Sequence, residues 1–305
     1  MSKNLMVFQS YLSEDEKKLI SPACIPLNID DNTQVNQREY NLFKKIATTQ
    51  DSRVAWGLIS SKFEHKSLIT PKEFCSFAED KMMQGYDCIF INPMIGNEAL
   101  HLNVWEQGIC SGHAGLEKLF HFLSKNIKEI QGAPMNNDTF SLCNYFVGNA
   151  NFWNAYFKFI DHVLNLIKDE GRKNSEISSI FGGSGAYVRD ATVTMEPFLI
   201  ERLFSSFIQN SSLKKASFKY DLTHYQKKFG QLYGNLLYSL SGLKNVAIQL
   251  KHPGLMGLYD EIRLPILRSS MMHSIASLDD PPSFFLSDQF HNLTSIDFKS
   301  LLTKD

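Results

Sequence analysis

Glu196, Glu201 and Arg202 fall within one short stretch and are the residues best placed by type and spacing to do chemistry. The segment reads Met195-Glu196-Pro197-Phe198-Leu199-Ile200-Glu201-Arg202-Leu203-Phe204. Pro197 suits the first turn of a helix, where its missing N–H would have no partner in any case. A carboxylate at that end is favoured in its charged form by the helix dipole. Glu201 lies five residues beyond Glu196, roughly 140° around a helix that turns about 100° per residue, so the two carboxylates are not expected to share one role. A carboxylate in a closed, partly dry site can remove a hydroxyl proton near neutral pH, with the arginine set on a phosphate or a partner carboxylate. A helix cap and a surface ion pair would account for the same residues.

Other chemistries find less support. His101, His113 and His121 lie near Glu98, Glu106 and Glu117, but none has HExxH or Cys–His zinc spacing. His113 precedes a helix and could cap it or face a ligand; His121 lies inside one and reads as structural. Gly182-Gly183-Ser184-Gly185 has no Gly-Lys-Ser/Thr after it and follows no convincing strand. It reads as a mobile loop able to close over a substrate. No GxSxG elbow is present, so serine-hydrolase chemistry is weakly supported. Asp30-Asp31 and Asp279-Asp280 read as solvated turn acids. Cys24, Cys75, Cys88, Cys110 and Cys143 are odd in number and show no CxxC spacing, which points to buried free thiols rather than a disulfide framework.

The elements that would carry these residues alternate. Leu5–Phe8, Val54–Ser60, Tyr86–Asn92 and Ser141–Val147 read as strands, the third being a near-continuous apolar run that stops at Asn92-Pro93. Ser13–Leu19, Glu39–Ala47, Pro71–Met83, Leu116–Ile130, Phe152–Lys168 and Glu196–Ile208 read as helices. Thr70 before Pro71 marks one helix start, and Ser13 with Glu16 has capping-box spacing at another. Asn28–Asn36 reads as a loop. From Leu222 the chain is mostly helical and ends in a polar tail. This alternation predicts an α/β fold, a parallel or mixed sheet covered on both faces, with ligands expected outside the carboxyl ends of the strands. The interest then falls on the loops after Phe8, Ser60, Asn92 and Gly148. The domain expectation is 1–220 for the sheet domain and 221–305 for a helical C-terminal extension, since 305 residues exceed what one core usually organises.

A formal net charge of −1 carries no basic excess for nucleic-acid phosphates. The N-terminal run lacks a signal-peptide pattern, and no stretch approaches the roughly 20 apolar residues of a membrane span. The cytoplasm is therefore the expected location, with peripheral membrane contact compatible with it.

Several short pieces occur in order: Asp31-Asn32-Thr33 with Asn36; Glu39-Tyr40; Trp56-Gly57-Leu58, then Ser61-Lys62-Phe63 and Lys66; Tyr86-Asp87-Cys88-Ile89; Val104-Trp105-Glu106-Gln107-Gly108 with His113; Asn144-Tyr145-Phe146-Val147 with Phe152-Trp153; and Glu201-Arg202-Leu203. This order, across roughly the first two-thirds of the chain, resembles bacterial glycosyltransferase-like proteins of GT-A type encoded with capsule and lipopolysaccharide genes. The resemblance implies a GT-A-like (Rossmann-like) fold, a nucleotide-sugar donor, and a glycan or lipid-linked glycan acceptor. Under it, Glu201 or Glu196 is the base, while Arg202, Lys62 and His113 meet phosphate. Asp87 and Asn92 border the donor pocket, and Trp105 stacks on a sugar or base unless it is a core residue. The Asp-x-Asp that often holds Mn²⁺ or Mg²⁺ in such enzymes is replaced by Phe90-Ile91-Asn92-Pro93, so no metal ligand is assigned and divalent-metal dependence is expected to be weak or absent. A non-catalytic glycan- or partner-binding protein of the same fold is the alternative. A phosphotransferase or hydrolase of surface-glycan metabolism is the third reading.

Overall fold

The computed structural model describes residues 5–29, 39–185 and 193–276, with side chains described to residue 269. Asp31, Asn32, Thr33, Asn36 and the pairs Asp30-Asp31 and Asp279-Asp280 lie outside the described residues. The first half runs β1 (Leu5–Tyr11), α1 (Glu14–Lys17), β2 (Ile25–Asn28), α2 (Glu39–Ala47), β3 (Ala55–Ser60), α3 (Phe63–Ser67), α4 (Pro71–Met83) and β4 (Cys88–Phe90). Then come α5 (Asn97–Leu100), α6 (Val104–Cys110), α7 (Leu116–Asn126), β5 (Phe146–Gly148), α8 (Ala150–Gly171) and α9 (Ser175–Gly182). The chain continues through α10 (Met195–Asn210), β6 (Lys215–Ser217), α11 (Leu222–Phe229), α12 (Gln231–Leu250) and α13 (Pro253–Ala276).

The fold is α/β, with a six-stranded mixed sheet among the described residues, in the order β2-β1-β3-β5-β4-β6. β1 is parallel to β2 and β3, and β4 is parallel to β6. β5 runs antiparallel to both its neighbours, β3 and β4. All four expected strands are in this sheet. The last is much shorter than expected, because Ser141–Tyr145 lies before the ladder and the chain turns through left-handed backbone at Cys143 and Asn144. Two strands escaped the sequence reading. β2 (IPLN) alternates only weakly, and β6 (KAS) has just three residues. The helix α9 and the short helices α3, α5 and α6 were not expected either.

Alternation along the strands sends side chains to two layers. Leu5, Val7, Ile59, Ile89, Ile91 and Val147 pack with Phe74 and Ala78 of α4 on one face. Trp56, Leu58, Phe90 and Phe146 pack with Phe152, Trp153 and Tyr156 of α8 and with Phe204 of α10 on the other. Both faces are therefore covered, as expected, with α4 and α8 on opposite sides. The α4 start is a full capping box, with the Thr70 hydroxyl accepting from Glu73 N and Glu73 accepting from Thr70 N. Gly57 permits the close approach of β5: a Cβ there would stand 2.2 Å from the Phe146 carbonyl oxygen.

A third apolar cluster joins Tyr225, Leu237, Leu240 and Tyr259 of the C-terminal helices to Ile95 and Ala99. Buried polar side chains fasten the same contact. Lys244 Nζ donates to the carbonyls of Glu98 (2.9 Å) and His101 (2.6 Å), and Tyr259 OH donates to Ala99 O at 2.9 Å. Arg263 bonds Leu100 O and the Glu106 carboxylate. Among the described residues no helix is long and apolar enough to cross a membrane.

Candidate functional site

β1, β3 and β4 end at one edge of the sheet, and because β5 is antiparallel the segment that leads into it arrives at that same edge. Ser60, the last residue of β3, shares a hydrogen bond with the Tyr145 hydroxyl. Lys62 follows, exposed at the start of α3. One turn on, the Lys66 ammonium stands 3.8 Å from Cys143 Sγ and 5.9 Å from the centroid of the Tyr145 ring. Burial is the main cause that holds the Tyr145 phenol and the Cys143 thiol in their neutral forms, and the charge of Glu39, at the start of α2, adds a smaller push in the same direction.

Cys143 and Asn144 take φ values of 68° and 50°. Successive non-glycine residues in the left-handed region cost roughly 1–3 kcal/mol each and persist only where the surroundings over-determine them. The surroundings here are α10. Glu201 Oε1 accepts from Cys143 N at 2.5 Å. One turn further, Ser205 Oγ accepts from Ser141 N and donates to Ser141 O, each at 2.8 Å. Residues four apart lie on one helix face, so Glu201 and Ser205 together clamp the strained segment along α10. Asn144 Oδ1 is buried and accepts no hydrogen bond among the described residues.

Glu201 is partly exposed, with its other oxygen 3.6 Å from Arg202 Nη1. Arg202 is 1% exposed and donates to Phe198 O at 2.7 Å and to Gln107 Oε1 at 2.9 Å. Gly108 makes room for it, since a Cβ there would lie 2.1 Å from Arg202 Nε. The guanidinium thus supports Glu201 from beneath and is not presented to a solvent-borne phosphate. Glu196 occupies the first turn of α10 and is buried. His113 is also buried. Its Nδ1–H donates to Gly185 O at 2.7 Å, and its ring packs on Phe198 with centroids 4.4 Å apart. Burial first, then the Arg202 charge, pulls its pKa down to about 3, so it is neutral at pH 7 and brings no cation to a phosphate.

The structure therefore pairs Glu201 with Arg202 and brings Ser60, Lys66 and Tyr145 up to the segment that Glu201 holds, while Lys62 lies one helical turn before Lys66, exposed. It does not bring Asp87 there. Asp87 lies before β4 and Asn92 after it, roughly 16 Å apart along extended chain, so they stand at opposite edges of the sheet. Asp87 accepts from Asn149 Nδ2 (2.9 Å) and Lys214 N (3.0 Å), tying together the starts of α8 and β6 at the opposite edge. Those contacts hold its carboxyl below the ordinary value against the upward pull of burial, the largest single influence. Asn92 lies at the carboxyl edge but is engaged: it donates to Glu98 Oε2 at 2.9 Å and accepts from Met94 N at 3.2 Å. Trp105 is 1% exposed, its indole N–H bonded to Ser206 Oγ at 3.0 Å and its ring against Phe120. It is a core residue with no face left for a sugar. Ser60, Lys66, Cys143, Tyr145 and the clamp by Ser205 are not among the residues that the sequence marks as site candidates; asparagine's tolerance of left-handed backbone at Asn144 is the one available signal.

Among the described residues no group of three or more His, Cys, Asp or Glu side chains is arranged to hold a metal ion. No protein family, characterised protein or solved structure matches the chain.

Proposed function

We propose that this chain is a glycosyltransferase that moves a sugar from a nucleotide-sugar donor to a surface-polysaccharide acceptor of the capsule or lipopolysaccharide class. The observation that carries the reading is the placement of Glu201: a partly exposed carboxylate at the carboxyl edge of a largely parallel sheet, seated against strained backbone at Cys143-Asn144, where the Lys66 ammonium approaches the Cys143 sulfur. Ligands of open α/β sheets bind at that edge. The mixed sheet is compatible with the Rossmann-like class to which the resemblance points. In this reading Glu201 removes the proton of the acceptor hydroxyl, and Arg202 and Cys143 N hold its carboxylate in place. Lys62 and Lys66 offset the charge that develops on the departing diphosphate. Glu196 ranks second as base because it is buried in the first turn of α10.

The test is donor turnover. Purified protein is incubated with a panel of nucleotide sugars, with chelator and with Mn²⁺, and released nucleoside diphosphate is measured. Turnover that falls on Glu201→Gln supports the reading; a panel without turnover or donor binding refutes it. The second reading, a non-catalytic glycan-binding protein of the same fold, draws on the same residue, because both Glu201 oxygens already face internal partners, as a purely structural clamp would. Glycan binding without donor turnover would select it.

A further inference from the structure

The sulfur atoms of Cys24 and Cys75 lie 4.0 Å apart although 51 residues separate them in sequence. Cys24 closes the turn that precedes β2, its N–H donating to Ser21 O at 2.9 Å, and it is buried. Cys75 sits in α4, points its thiol at Ala23 O, 3.7 Å away, and lines a cavity of about 200 Å³ with Lys72, Ser76 and Glu79. One thiol therefore faces a space that a small oxidant can enter, and the second waits behind it. We propose that Cys24 and Cys75 form a peroxide-responsive dithiol–disulfide couple, with Cys75 as the attacking thiol and Cys24 as the resolving one.

The chemistry balances with a hydroperoxide as the only co-reactant. The Cys75 thiolate attacks one oxygen of hydrogen peroxide, the O–O bond breaks, and hydroxide leaves and takes up a proton as water. Cys75 is then a sulfenic acid. The Cys24 sulfur attacks the Cys75 sulfur, the S–S bond forms, the S–O bond breaks, and a second water departs with the Cys24 proton. Two thiols and one peroxide thus become one disulfide and two waters. The division of roles follows exposure, and the titration of the pair agrees with it. The hydrogen bond from Cys24 holds Cys75 below the ordinary thiol value, against burial and the Glu79 charge. The same contact and burial push Cys24 up. Closure to the roughly 2.05 Å of an S–S bond asks for a small shift of the 22–24 turn. That turn lies outside the ladder, whose β1–β2 register starts at Phe8↔Ile25. The bridge would fasten β2, an edge strand with β1 as its neighbour in the sheet, to a helix on one face.

Cys88, Cys110 and Cys143 serve as internal controls. Burial raises all of them, Cys110 to about 12. The fully reduced, full-length protein is treated with equimolar hydrogen peroxide, alkylated, digested without reductant and mapped by mass. The expected result is a single Cys24–Cys75 crosslinked peptide, reversed by dithiothreitol. In the reduced protein, Cys75 should be alkylated at least ~10-fold faster than Cys110. In Cys24→Ser, dimedone should label Cys75 as a sulfenic acid, and Cys75→Ser should give neither crosslink nor label at Cys24. Free Cys24 and Cys75 after Cys110 has been oxidised would overturn the proposal, as would equal alkylation rates or dimedone on Cys24. The wild-type map decides the matter even where a serine variant folds poorly. A crosslink that leaves the melting temperature unchanged would overturn the claim that the bridge fastens β2.

Discussion

Glu201 serves two purposes that a single substitution can separate. An amide oxygen can still accept from Cys143 N, so Glu201→Gln preserves the clamp while removing the base. Under the transferase reading kcat falls roughly 10²–10⁴-fold while the melting temperature stays close to that of the parent. Glu196→Gln should cost far less. Full activity in both variants would remove carboxylate base catalysis from the mechanism. Gly108→Ala tests the support beneath: its methyl must displace the buried Arg202 side chain, and overpacking of this kind costs roughly 1–3 kcal/mol, measured as a lower urea midpoint. Histidine sets a pH dependence. Burial is the largest cause in pulling both His113 and His101 down to about 3, with positive neighbours adding to it: Arg202 for His113, and Lys244, Arg263 and Arg202 for His101. The unfolded chain binds protons at these histidines below about pH 6.5 while the folded chain does not, so stability falls as pH drops from 6.5 toward 3. Each contributes a slope of roughly 1.4 kcal/mol per pH unit. Glu98, raised chiefly by burial, opposes this in the part of the window just above the ordinary carboxylate value. His113→Asn should flatten the pH dependence of the urea midpoint; an unchanged slope would refute the assignment.

At the scale of elements, the contact between α5 and the C-terminal helices depends on one buried amine. Lys244 is fully buried and its donors satisfy the carbonyls of Glu98 and His101. Lys244→Ala leaves those carbonyls without their donor, at roughly 1–3 kcal/mol for a buried unsatisfied group. Burial pulls the Lys244 pKa down to about 7, against the Glu98 and Glu106 charges that favour the cation. Between about pH 7 and the ordinary lysine value the unfolded chain therefore holds the extra proton, and stability rises with pH across that window. Lys244→Met, which keeps the stem's packing, should reduce this alkaline rise, leaving what Lys215 and Lys228, also pulled down chiefly by burial, contribute. An undiminished rise in the variant would place its source elsewhere.

At the scale of the whole molecule, the reversed strand β5 brings the Ser141–Tyr145 segment to the carboxyl edge, where β3 delivers Lys62 and Lys66. If those amines offset the leaving diphosphate, transfer should persist in excess chelator, and Lys62→Ala with Lys66→Ala should lower kcat more than Mn²⁺ restores it. Activity that vanishes with chelator and returns with Mn²⁺ would contradict this.

Periodicity is enough to read the strands at Leu5–Phe8, Val54–Ser60 and, around its centre, Tyr86–Asn92, the helices Glu39–Ala47, Pro71–Met83 and Phe152–Lys168, and the helical character after Leu222, because each buries a regular face that its own residues encode; of Ser141–Val147 only the last two residues are strand. The acid–acid–arginine segment at Glu196, Glu201 and Arg202 was equally legible as a helix start. Edge strands such as IPLN and KAS were not, since a strand with one neighbour and partial burial needs little hydrophobic alternation. Tertiary structure alone decided the direction of β5, and with it which loops share an edge. It also decided that Asp87 lies at the far end of its strand from Asn92, and that Trp105, His113 and Arg202 face inward. Whether a polar or aromatic side chain meets solvent or core depends on which neighbour covers it, and those neighbours are distant in sequence: Gln107 for Arg202, Ser206 for Trp105 and Gly185 for His113.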